Sequence, residues 1–495
     1  MYKYTEKESL QHSDSGSPLV DFFKNAPTFR EFTLQNRDDI VKEFVRAYEN
    51  NPEIATKILF WLRDPRMGQG EKASARKLLS YMYNLEESHP LITDNLDKVV
   101  EYGSYKDITF IFHSAVDKAP LTKFFAKKIK SKDRMACKWA PRLDSKDDAF
   151  AVAIRDELKM TNKQYRTWLK ENSETVEQSM ASNYWKAIEY SKVPSLAMKK
   201  YGKAFDKHDA TRFKDFKLDK TQKINASVLY PHQVTKHIHV DALLAEKMWE
   251  NLPNFIKEGE VILPIIDTSS SMESNGVMQI ALSLGLYLSE RISGQFKNSF
   301  ITFDDNPKLI TFNPEKYKTL QQKLNFIESA PWGGTTNFHS SYELILRSAK
   351  MFNIKQEEMP TMLICLSDMQ FDEANHGAGK LALDVMREKF KNAGYEMPKL
   401  VMWDLRGKEE INRGSHAKHD EKGVAMISGF SPSIMKAVLA IEDIPDFTPY
   451  DVMMEAIEYI EFRTRNLPTL IPYDVNVSSN IIFSVVSNQK TLTAH

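Results

Sequence analysis

Residues 261–272 read VILPIIDTSSSM: six apolar side chains in a row, then an aspartate, a threonine and three serines. An uninterrupted apolar run of this length predicts a strand covered on both faces, as in a parallel sheet flanked by helices. Pro264 opposes the assignment locally, because proline cannot donate to a ladder, so a distortion is expected there. Downstream, 276–292 has helical spacing and NSFITF at 298–303 reads as a second strand. TMLICL (361–366), KLVMW (399–403) and GVAMI (423–427) read as three more, with helical segments at 342–351, 377–393 and 434–440. Strand alternating with helix predicts a doubly wound α/β sheet. A helix about 451–462 and a tail at 476–495 follow, the tail carrying an apolar stretch, 481–486, suited to an edge strand.

Upstream of this stretch the pattern is helical throughout. DIVKEFVRAY (39–48) and PEIATKILFWL (52–62) place apolar residues at i, i+3, i+4 and i+7, and 72–82, 149–158 and 175–190 do the same. Breakers separate them: Asp64-Pro65 with Gly68 and Gly70, the Tyr-Gly-Ser at 102–104, Ala140-Pro141 and Val193-Pro194. No fixed period emerges, so the expectation is an all-α helical array. The expected division is a disordered terminus at 1–15, a helical domain at 16–250, an α/β domain at 251–445 and a C-terminal helix and tail at 446–495.

Composition narrows the class. The 495 residues carry 67 basic and 67 acidic side chains, and 42% are hydrophobic, as in an ordinary folded protein. Two cysteines, Cys137 and Cys365, exclude a disulfide scaffold and point to a reducing compartment, expected to be the cytoplasm. The polar opening MYKYTEKESLQHSDS is unlike a signal peptide, and no apolar run approaches the roughly 20 residues of a membrane span. Net neutrality conceals an asymmetry: residues 1–250 hold 43 basic and 36 acidic side chains, and 101–223 alone hold 27 and 17. An anionic partner for the first half is compatible with that distribution.

Three segments at expected strand ends or between elements carry oxygen donors. Asp267, Ser269 and Ser271 follow the first strand at a spacing that lets one turn aim them at a common centre. A Gly-Gly-Thr-Thr loop occupies 333–336, and Ser367-Asp368 follows TMLICL. Ligands of open α/β sheets bind beyond the carboxyl ends of the strands. Carboxylates and hydroxyls without His or Cys form a hard-oxygen set suited to Mg²⁺ or Mn²⁺. Serine-rich turns also serve as helix N-caps, and the three segments together favour the cation.

These residues resemble the metal-ion-dependent adhesion site of von Willebrand factor A-type domains. The stretches 332–338 (WGGTTNF), 367–372 (SDMQFD), 402–406 (MWDLR) and 428–431 (SGFS) are similar to a family of unknown function. So are 63–71 (RDPRMGQGE), 105–107 (YKD), 138–141 (KWAP) and 193–195 (VPS) in the helical half. That family is related in layout to the Ro ribonucleoprotein, in which a helical TROVE module precedes an A-type domain. The resemblance implies a HEAT/TROVE-like helical array followed by a von Willebrand factor A-like sheet. It implies metal ligands Asp267, Ser269, Ser271, Thr336 (with Thr335 as the alternative) and Asp368. Asn337 stands where the family has aspartate, leaving one negative charge fewer beside the site.

A second candidate surface lies in the helical half: Lys123, Lys127, Lys128, Lys130, Lys132, Arg134 and Lys138, interleaved with Phe124, Phe125 and Trp139. Lysines beside aromatics hold phosphates and stack bases. With the Ro-like layout, RNA is the expected ligand. The expected function is therefore non-enzymatic RNA binding, with a partner's acidic side chain completing the metal shell. The alternative is a metal-dependent adhesion or scaffold protein without RNA binding. No nucleophile–base pair can be assigned. His237-Ile-His239 would align two rings on a strand, but reads as linker, and the glycines at 68 and 70 lack the strand and spacing of a phosphate loop.

Overall fold

The computed structural model describes residues 2–4, 10–12, 14–28, 39–256, 261–303, 306–330, 338–369, 379–405, 418–440, 447–474 and 476–478. Thr335, Thr336 and the stretch 481–486 lie outside the described residues. The chain divides into two compact units that alternate along the sequence: 1–28 with 190–458, and 29–189 with 459–495. The expected boundary at 250/251 therefore falls inside the first unit.

The first unit is built on a six-stranded mixed sheet. A short antiparallel hairpin, β1 (Tyr2–Tyr4) with β2 (Leu10–His12), precedes it, within the stretch expected to be disordered. The sheet strands are β3 (Ile262–Ile266), β4 (Ser299–Thr302), β5 (Leu309–Thr311), β6 (Met362–Ser367), β7 (Lys399–Asp404) and β8 (Val424–Ser428). Their spatial order is β5-β4-β3-β6-β7-β8, with β5 antiparallel to β4 and every other pair parallel. Five of these strands lie within a residue of their expected bounds. Only three residues long and half-exposed, β5 has no apolar run to announce it. Pro264 keeps its register with Ile364 of β6, whereas the ladder to β4 pairs only Ile265 and Ile266, beyond the proline.

Both faces of the sheet are covered. Helix Val277–Arg291 lies on the face that carries Ile266 and Leu366. There Gly285 permits contact so close that a Cβ would sit 2.2 Å from Ile266 Cδ1. Cys365 points to the other face, near Tyr342 of helix Phe338–Phe352, whose ring meets Phe390 of helix Gly379–Asn392 edge-on. Helices Ser195–His208, Ala210–Leu218, Pro231–Thr235 and Ala242–Glu250 belong to this unit rather than to the helical one. Thr235 and Ser283 share a buried hydroxyl bond of 2.8 Å, and Trp249 Nε1 donates to Glu290 at 2.7 Å. Helix Pro18–Asn25 is held to β8 by Ser428 Oγ, which donates to the Lys24 carbonyl.

The second unit is helical from Asp39–Asn50 to Val176–Ala181, around a core that includes Phe44, Tyr48, Phe60, Trp61, Tyr81, Tyr83 and Tyr165. The helix expected over 175–190 ends at Ala181. Asn183 adopts φ 58°, a left-handed turn that asparagine tolerates, and short 3₁₀ turns follow. The segment 459–474 closes this unit. Tyr459 Oη donates to Asp64 at 3.0 Å, Arg463 pairs with Asp97 at 2.6 Å, and Tyr48 and Tyr81 donate to the carbonyls of Pro468 and Pro472 at 2.8 and 2.5 Å. Among the described residues no helix is long and apolar enough to cross a membrane.

Candidate metal centre

The order of the strands places the site. From β3 the chain proceeds outward to β4 and β5, then returns to the other side of β3 as β6, so the direction of winding reverses between β3 and β6. At such a switch the loops leaving two adjacent strand ends diverge and open a crevice for a ligand. Asp267 leaves β3 there and Asp368 leaves β6. Asp267 N donates to Leu366 O at 3.0 Å, extending the ladder one residue past the strand.

The Asp267 carboxylate is fixed on both oxygens: Oδ1 accepts from Ser269 N at 2.9 Å, and Oδ2 accepts from Ser367 Oγ at 2.5 Å. The hydroxyls of Ser269 and Ser271 lie 2.9 Å apart. Met272 N closes the turn on Ser269 O at 2.9 Å, and Met272 Sδ accepts from Asp368 N at 3.2 Å. Asp267, Ser269, Ser367 and Asp368 are all buried. Met369 adopts φ 60° as its N–H turns back to Ser367 Oγ at 2.9 Å, and Leu405 N donates to Ser367 O at 2.9 Å. Burial, with Asp267 and Asp368 close by, holds the Cys365 thiol well above its ordinary range.

The structure thus brings together Asp267, Ser269, Ser271 and Asp368, four of the expected ligands. Their donor set is oxygen alone, which fits Mg²⁺ or Mn²⁺ rather than zinc. Among the described residues no three His, Cys, Asp or Glu side chains cluster as metal ligands, so a cation here would lean on hydroxyls and water. The Thr268 hydroxyl, buried beside them, has no hydrogen-bond partner among the described residues. Two positioning contacts escaped the sequence reading. Ser367 reaches Asp267 only because β6 adjoins β3, and Met272 meets Asp368 only across the same junction. Neither adjacency is written in local spacing.

The basic segment of the second unit is split between two environments. Helix Ala119–Lys130 exposes Lys123, Lys127 and Lys130 while Phe125 and Ile129 enter the core. Lys128 lies 5.7 Å over the Phe124 ring, Lys132 5.6 Å over Trp168 and Lys138 5.3 Å over Trp139. Arg134 donates to Glu174 O at 3.1 Å. The residues around His237 form a turn, with His237 buried and His239 exposed, so the two rings do not share a face.

Comparison with known proteins adds four findings. A family model described as Domain of unknown function (DUF7788) matches residues 262–463, the sheet and its surroundings. The uncharacterized protein L728 of Acanthamoeba polyphaga mimivirus is 26% identical, over 96% of this chain and 91% of that one. The crystal structure of the Deinococcus radiodurans Ro (RSR) protein aligns over 90% of this chain and all of its own, at 13% identity and a TM-score of 0.39. A second family model matches residues 5–147 and 135–260, together just over half of the sequence, and the chain belongs to that family, Domain of unknown function (DUF2828).

Proposed function

We propose that this protein is a non-enzymatic RNA-binding protein with a divalent-cation adhesion site. In this reading the sheet unit is a von Willebrand factor A-like module. Asp267, Ser269, Ser271 and Asp368, with Thr336, hold Mg²⁺ or Mn²⁺, and an acidic side chain of a partner protein takes an open position in the shell. The helical unit, TROVE-like by its motifs, holds RNA phosphates on the lysines of 123–138. The observation that carries the reading is the fixed Asp267 carboxylate beside the paired Ser269 and Ser271 hydroxyls, at the reversal between β3 and β6.

Calorimetry with Mg²⁺ and Mn²⁺ tests the site. Asp267→Ala is expected to abolish cation uptake, and equal uptake by the variant and the parent chain would remove the assignment. For the helical unit, RNA affinity is expected to fall steeply as salt is raised, with a slope of about 0.7 per phosphate contact on a single strand. Binding that stayed level from low to moderate salt would remove RNA as the ligand.

A further inference from the structure

The lysines of 127–130 end a helix, where the negative end of the macrodipole welcomes cations. A second group of cations in the same unit stands at the opposite kind of position. Lys72 is the N-cap of helix Ala73–Asn84 and makes no side-chain cap bond, Arg76 lies in the first turn of that helix, and Lys106 lies in the first turn of helix Tyr105–Ser114. The two helices pack against each other. Positive side chains at helix N-termini oppose the macrodipole and weaken the helices that carry them.

Beneath them Arg63 and Arg76 share one carboxylate, the fully buried Asp107, at 2.8 and 2.6 Å. Arg63 is itself buried, and its Nη1 has no acceptor among the described residues. Lys106 rests 4.3 Å over the Trp139 ring, and neither Lys72 nor Lys106 has a carboxylate at ion-pair distance among the described residues. Burial first, then Arg63 and Arg76, lowers the Lys72 ammonium below its ordinary pKa. Burial, Arg76, Lys146 and Lys72 do the same to Lys106. The cations sense one another; Asp107 and Glu71 act in the opposite direction on Lys72, and Asp147 on Lys106, without reversing either shift.

We propose that Lys72, Arg76 and Lys106, set over the Arg63–Asp107 pair, form a phosphate cradle in the helical unit that takes backbone phosphates of RNA. The phosphate chemistry stands on these residues alone, while the polymer rests on the function proposed above. The two helix starts already hold carboxylates, Glu71 accepting the Ala73 N–H and Asp107 the Ser104 N–H, each at 2.8 Å, so an anion here is drawn by the three cations rather than by free amides. Arg76, steered by Asp107, presents its remaining N–H groups as a fork, and the two lysines supply point charges.

The test uses the full chain, inorganic pyrophosphate and a single-stranded RNA oligomer, and compares Lys72→Gln/Lys106→Gln with Lys123→Gln/Lys127→Gln. The cradle predicts that pyrophosphate binds the parent chain and that the Lys72/Lys106 variant loses about tenfold or more in affinity. Its RNA salt slope should also drop by about 1.4, two contacts at roughly 0.7 each. If pyrophosphate fails to bind the parent chain, or binds that variant equally well, the cradle is overturned. RNA binding lost only in the Lys123/Lys127 variant overturns the cradle and leaves the function standing. Pyrophosphate bound through Lys72 and Lys106 without any RNA binding keeps the cradle as a site for free phosphorylated ligands and removes the RNA reading.

Discussion

Asp107 holds the two buried or half-buried guanidiniums of Arg63 and Arg76, and its Oδ2 also accepts the Ser104 N–H at 2.8 Å. Asp107→Asn keeps the shape but strands two cations, so chemical denaturation should show a loss of about 3–5 kcal/mol. The lysines nearby have the opposite sign. Their folded pKa values lie below those of the unfolded chain, so at neutral pH, where the unfolded lysines are fully protonated, they cost stability. That cost disappears as pH rises through the folded values toward the ordinary lysine range. Without phosphate, Lys72→Gln/Lys106→Gln should therefore melt at or above the parent chain at pH 7, with the gap closing by about pH 10. A lower melting temperature for the variant at pH 7 would show that the lysines stabilise the fold. Of the metal site, Asp267, Ser269 and Ser271 were legible because one turn carries all three. The Ser367 contact was not, because hydrogen bonds between strands 100 residues apart leave no trace in local spacing.

The central strands were legible because burial on both faces demands short continuous apolar runs, here bounded by polar or turn residues. Helix starts carry capping as well, as where Asn51 Oδ1 accepts from Ile54 N at 3.0 Å ahead of Pro52. The three-residue β5 and the early end of the helix at Ala181 were not, since one depends on a neighbouring strand and the other on a single left-handed asparagine. At this scale one tight joint is that of helix Val277–Arg291 with β3. Gly285→Ala drives a Cβ to within 2.2 Å of Ile266 Cδ1 and should cost about 1–3 kcal/mol in thermal unfolding. Ile266→Val removes that Cδ1, so the double variant should regain part of the loss. A double variant no more stable than Gly285→Ala would place the strain elsewhere.

Across the whole molecule, the compact units do not divide at the expected 250/251, because shifts in composition track helix against strand, whereas the units are defined by packing. Each unit is assembled from segments distant in sequence. Lys24 meets Ser428 in one, and Tyr48 meets Pro468, 420 residues away, in the other. A chain ending at residue 458 should consequently lose the Asp97–Arg463 pair and the tyrosine bonds to Pro468 and Pro472. Its helical unit should be cut by protease well before that of the full chain. The same interleaving bears on synthesis. On the ribosome the helical unit's first segment, 29–189, emerges early, yet its later partners at 459–474 are translated only after the whole of 190–458. The sheet unit likewise waits for β8 before its first helix has a seat. Neither unit can close before its late segment has been made, so the nascent protein carries uncovered apolar surface until residues 424–428 and 459–474 have emerged, which makes it a natural client for chaperones.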